Sequence, residues 1–274
     1  MVHPSPIFSS LRLKPVGALS LIVALLMALA SLAGLLFQAA LYSAEELRQS
    51  FVSNDVVNLF IGLPILLGSL ALAQRQRLIG LLFWPGALFY VTYNSIAYAV
   101  ALRFTGLGLV HLVLVGLSLY TIVKLFLQID ATAIRQRLAG AVPERLAGGA
   151  LAGLGALFFV WRGSLLVQSL SGAAVLPGPE LAVVVADLLI TPAWIAGGIL
   201  LWRRQALGYL SGAGLLFQAS MLFVALLVFF ILQPFVAAAP FPLADFIAIF
   251  VMGLVSFVPF GLFVRGIRAA ESRG

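Results

Sequence analysis

The sequence predicts an all-α, polytopic integral membrane helical bundle with eight transmembrane helices. Three observations carry that prediction: the composition, the recurrence of long apolar runs and the placement of the basic residues. Hydrophobic residues make up 63% of the 274 and charged residues only 9%, too little polar surface to cover a water-soluble core. Apolar runs long enough to cross a bilayer as helices, about 20 residues each, fall at 16–42, 56–73, 79–101, 106–128, 148–170, 181–202, 207–232 and 244–265. They occupy nearly the whole chain and leave no room for a soluble domain.

The net charge of +7 would suit a polyanionic partner, but its distribution points elsewhere. Arg12, Lys14, Arg75, Arg77, Lys124, Arg135, Arg137, Arg145, Arg203, Arg204, Arg265, Arg268 and Arg273 flank or fill alternate connections. Arg48 and Arg103 lie on the other side, and Arg162 falls inside a span. This asymmetry predicts a multi-pass protein of the plasma (cytoplasmic) membrane with both termini cytoplasmic, N-in and C-in. Its partner is then the lipid bilayer, with no nucleic acid. The absence of cysteine removes disulfides, thiolate catalysis and iron–sulfur ligation. The two histidines, His3 and His111, cannot form a metal or haem cluster without many carboxylates nearby, so neither cofactor nor metal is expected.

The first run follows Arg12 and Lys14, and its apolar core exceeds the length of a secretory h-region, so it reads as a span rather than a signal peptide. In the second run Asn54, Asp55 and Asn58 read as a polar cap at the outer end, and Pro64 lies inside. The third carries Pro85 and a stripe of Tyr90, Asn94 and Tyr98 at four-residue spacing, with Tyr98 placed as an interfacial anchor. The fourth brings His111 and, two turns further on, Ser118. Gly149 and Gly153 on the fifth span and Gly208 and Gly212 on the seventh stand at the spacing that lets helix backbones approach closely. The connection QPFVAAAPFPLAD between the last two spans is apolar and proline-rich, suited to the outer interface.

Sliding the chain by 128 positions brings Pro64 onto Pro192, Arg75 onto Arg203, Gly80 onto Gly208 and Gly86 onto Gly214. Pro15 falls opposite Pro143 at the same offset. The expectation is two four-helix repeats, 1–128 and 129–274, forming one compact membrane domain. Because four is even, both repeats enter from the cytoplasm and are related by an axis along the membrane normal.

Arg162 in the fifth span and Asp187 in the sixth are the chain's best functional lead. A charge near the centre of a span costs about 2.5–3.5 kcal/mol by insertion scales, so two on consecutive helices call for mutual pairing or a polar site. The connection between the helices is short and the two residues fall at similar depth, so direct pairing is expected. At the repeat offset their counterparts are the apolar Gly34 and Leu59. The expected ligand-binding set is Arg162, Asp187, Asn94, Tyr93, His111 and Tyr90. Together they describe a transport-like or binding protein with an outward-facing polar cavity for a small polar or anionic solute or a lipid head group. A non-catalytic scaffold, sensor or assembly factor fits the same features. An enzyme acting on lipid fits less well, because no catalytic acid–histidine arrangement can be assembled.

Overall fold

A computed structural model describes residues 13–237 and 240–272. It is helical throughout, with no strand among the described residues. The elements are α1 (Leu13–Leu36), the short α2 (Gln38–Leu41), α3 (Glu45–Gln74), α4 (Leu78–Ala101), α5 (Gly106–Phe126), α6 (Ala131–Leu138), α7 (Glu144–Leu170), α8 (Gly178–Trp202), α9 (Ala206–Ala237) and α10 (Leu243–Glu271). Seven of them, α1, α3, α5, α7, α8, α9 and α10, are long and apolar enough to cross a membrane. The remaining long helix, α4, is the most thoroughly buried of the set. Its Tyr, Thr, Asn and Ser residues lower its hydropathy but face protein rather than the outside of the bundle.

Three boundaries differ from the sequence reading. α3 starts at Glu45 rather than near residue 56, so Asn54, Asp55 and Asn58 are not a cap but lie well inside the helix. Glu45 and Glu46 occupy its first turn, where carboxylates favour the helix dipole. The first span breaks at Phe37, and α9 runs through Pro234 to Ala237, so the start of the proline-rich connection is helical. Residues 238–239 lie outside the described set. Within α3, Asn58–Gly62 form a π-helical turn in which the Leu63 N–H reaches back to the Asn58 carbonyl. Pro64 follows immediately, and the wider turn shifts the register where proline supplies no donor.

Each set of four long helices packs in a closed ring: α1 on α3, α3 on α4, α4 on α5 and α5 on α1; then α7 on α8, α8 on α9, α9 on α10 and α10 on α7. Between the rings α4 packs on α9, α4 on α8, and α9 on α3. Local geometry recurs at the 128-residue offset. Gln76 and Arg204 both take positive φ, 59° and 56°, at the ends of α3 and α8. The following residues donate back to equivalent carbonyls, Arg77 to Leu72 at 3.0 Å and Gln205 to Leu200 at 2.9 Å, closing the same C-terminal turn. Gly80 then packs on the backbone of Leu72 and Ala73 as Gly208 does on Leu200 and Leu201. Finally α4 and α9 cross at Gly86 and Gly214, where a Cβ on Gly86 would lie 2.2 Å from the Gly214 carbonyl oxygen. Only glycine allows that approach.

The glycine spacing on α7 selected the wrong face. Gly153 meets nothing within 4 Å, and Gly149 meets only the ring of Trp202. Close backbone contact with α8 is made by Gly148 against Gly198 and by Gly155 against Trp194 and Ile195.

Candidate functional site

α7 and α8 pack along their length, which sets Arg162 beside Asp187. The Arg162 Nε–H donates to Asp187 Oδ2 at 2.7 Å, and the Tyr93 hydroxyl of α4 donates to Asp187 Oδ1 at 2.9 Å. Both carboxylate oxygens are thereby engaged, one from each set of helices. The side chains of Arg162 and Asp187 are 16% and 9% exposed, and Asp187 is the one carboxylate within ion-pair reach of Arg162 among the described residues. The guanidinium lies 4.3 Å from the centroid of the exposed Trp161 ring, which shields it by a cation–π contact. Thr191 returns its hydroxyl to the Asp187 carbonyl one turn along.

The other expected residues divide. Asn94 accepts from Asn54 at 3.2 Å and donates to the Tyr90 carbonyl at 3.0 Å, so α3 and α4 satisfy its amide. Tyr90 is buried against Gly62 and the α9 residues Met221, Leu222 and Ala225, with its hydroxyl unpartnered. His111 is not brought to Arg162 by any contact. It is 2% exposed and stacks on Tyr98, with ring centroids 4.2 Å apart, and neither ring nitrogen has a partner.

Tyr98 is no interfacial anchor. It is fully buried, and its hydroxyl donates to Asp55 Oδ1 at 2.8 Å. Tyr42, in the turn before α3, donates to Asp55 Oδ2 at 2.6 Å. Asp55 is fully buried and makes no ion pair with any described residue, so Asp187 is not the only carboxylate inside the bundle. The sequence reading missed it because EELRQSFVSND looks polar enough to be a connection. The helix turns Glu45 and Glu46 outward and Phe51, Val52 and Asp55 inward, a helical spacing that was available as a signal.

The two carboxylates can be compared at the 128-residue offset. Gly34, the offset counterpart of Arg162, abuts Asp55, where an added Cβ would fall 2.1 Å from Oδ2. Asp55 itself lies one helical turn before Leu59, the counterpart of Asp187. Asp55 on α3 thus lies against α1 and Asp187 on α8 against α7, and α4 donates a tyrosine hydroxyl to each carboxylate.

Two further carboxylates sit at the opposite ends of the helices. Glu271 accepts from the Leu78 N–H at 2.6 Å and the Ile79 N–H at 3.4 Å, capping α4, a task for which that helix has no side chain of its own. Glu144 accepts from the Gly140 N–H and the Tyr209 hydroxyl, both at 2.8 Å, with Arg204 3.9 Å away. These are structural ties. Among the described residues no three His, Cys, Asp or Glu side chains converge to hold a metal ion.

A groove of about 260 Å³ lies elsewhere, lined by Pro85, Phe89, Ile122, Ala193, Gly197 and Leu215, and contains none of the six expected residues. Its walls are almost wholly apolar. Architecture and hydropathy define the class of protein as a helical membrane bundle. Comparisons of the chain with protein families, curated proteins and solved structures return no match.

Proposed function

We propose that this is a multi-pass binding or transport protein that holds a small polar or anionic solute, or a lipid head group, against Arg162 where two halves of the bundle meet. The reading takes the chain as eight crossings in two parallel four-span halves, with both termini cytoplasmic. α4 is the eighth crossing. It is 24 residues long, as is α1, and packs between helices on every side. Hydropathy sums the preference of side chains for an apolar medium whether or not they meet lipid, so a central helix shielded by its neighbours can carry polar groups and still cross. The matched C-terminal turns of α3 and α8 and the glycine crossing of α4 with α9 support the twofold arrangement.

The observation that carries the proposal is the Tyr93–Asp187–Arg162 chain. It joins one half to the other, yet uses only Nε of a guanidinium with five N–H donors. The terminal nitrogens can take an anion without giving up Asp187. Elsewhere in the bundle, Asn58 Oδ1, Tyr90 Oη, Gln218 Nε2 and Ser220 Oγ are buried without partners on α3, α4 and α9. Buried polar atoms of this kind ask for water or a ligand.

The test is thermal unfolding of the purified full chain in nanodiscs with inorganic phosphate, short carboxylates and glycerol phosphate. One of these anions should raise the midpoint saturably. The charge-free double variant Arg162→Gln/Asp187→Asn should retain the midpoint in buffer and lose the response. A response that survives in the double variant, or none to any anion, counts against the site. The second outcome favours a membrane scaffold or sensor, the reading that the backbone contact at Gly86 and Gly214 supports by fixing the halves together.

A further inference from the structure

Asp55 has a different physical problem from Asp187. It is fully buried, both oxygens are held by phenol hydroxyls, and no cation reaches it among the described residues. A carboxylate buried without a counter-charge is costly, and two neutral donors offset only part of that cost. A metal cation is one way to relieve it, but Gly34 presses against Oδ2 so closely that even a methyl group does not fit. A hard cation requires about six oxygen ligands at 2.0–2.6 Å, and there is no room to arrange them. A proton needs no such shell. Ser31, one turn before Gly34 on the same face of α1, carries a fully buried hydroxyl with no hydrogen-bond partner, a group able to accept from a protonated acid.

We propose that Asp55, set between Tyr42 and Tyr98, is a proton-binding site of the first half of the bundle. Binding makes one O–H bond on the carboxylate and breaks none in the protein; the proton comes from water. His111 lies flat on Tyr98 with both ring nitrogens unpartnered, so it closes the cluster on that side without bonding to the carboxyl. This site goes beyond the Arg162 reading and stands without it.

The groups facing Asp55 are few. α1 brings Gly34 and Ser31, with its single charge, Lys14, at the far end. The turn before α3 brings Tyr42, α4 brings Tyr98 and α5 brings His111. On α3 itself Glu45, Glu46 and Arg48 lie toward the exposed end, where Arg48 pairs with Glu45. α9 packs on α3 with one titratable residue, Tyr209, which is tied to Glu144. α8 brings Asp187, already neutralised by Arg162, and the more exposed Glu180. Loss of the proton places a charge in the contact between α1 and α3 at Gly34.

Infrared spectroscopy of the full chain in nanodiscs, titrated from acid to alkaline pH, tests the proposal. A protonated-carboxyl carbonyl band should be present at neutral pH, vanish reversibly at alkaline pH, persist in Asp187→Asn and be missing in Asp55→Asn. Tyr42→Phe removes a donor that favours the carboxylate, so it should move the band's midpoint toward alkaline pH by about one unit. That arm stands even where Asp55→Asn does not fold. The proposal is overturned by absence of the band throughout, by its survival in Asp55→Asn, by an unmoved midpoint in Tyr42→Phe, or by its removal with sodium at fixed pH. The last result would make the site a metal-cation site.

Discussion

Asp187 and Asp55 each lie against a neighbouring long helix and accept a tyrosine hydroxyl from α4, yet the fold holds them by different physics. Asp187 has a full counter-charge in Arg162 and one hydroxyl donor from Tyr93. Asp55 has two hydroxyl donors and no counter-charge among the described residues, and the residue that abuts its Oδ2 from α1 is Gly34. The difference teaches that one architecture can carry a charge in two ways, by pairing it or by leaving it to a proton. α4 is the common element, donating through Tyr93 to one side and Tyr98 to the other. A movement of α4 therefore changes both environments together.

Breaking the comparison at Asp187 has the largest expected effect. Asp187→Asn leaves Arg162 with no partner charge and should lower stability by about 3 kcal/mol, read as a fall in unfolding midpoint in nanodiscs. Restoring neutrality with Arg162→Gln in the same chain should recover most of that loss. Gly34→Ala comes next, at about 2 kcal/mol, since its methyl must displace the Asp55 carboxyl and the Tyr42 hydroxyl. Tyr98→Phe removes one hydroxyl from Asp55 while keeping the ring between Phe51 and His111, and should cost about 1 kcal/mol. Smallest is Asp55→Asn, with a change under about 1 kcal/mol, because an amide is a close stand-in for a protonated acid. If Asp55→Asn destabilises as much as Asp187→Asn, the two carboxylates are not held differently.

Much of the fold was legible because lipid imposes long apolar runs, and those runs became helices close to where composition placed them. The Arg162–Asp187 contact was equally legible, since two charges on consecutive helices joined by a short connection have few other ways to be accommodated. Asp55 was not, because EELRQSFVSND has the composition of a connection and shows its apolar face only when read at helical spacing. Tyr98 was misplaced for a related reason: a tyrosine near a span end resembles an anchor until a carboxylate is known to lie opposite. On α7 the packing face was set by Gly198 of the neighbouring helix, and a motif on one helix cannot reveal which face meets its partner. The central place of α4 was hinted at by its polar stripe, but burial depends on all the helices around it.

The central claim is that Arg162 is a ligand-binding cation and not merely half of a structural tie. An experimental density map of the purified full chain in lipid, examined around the guanidinium, tests it most directly. The account predicts ordered non-protein density of head-group or solute size within hydrogen-bonding distance of the terminal nitrogens, with Nε still on Asp187. A guanidinium enclosed by protein and acyl chains, with no density beside those nitrogens, would contradict it.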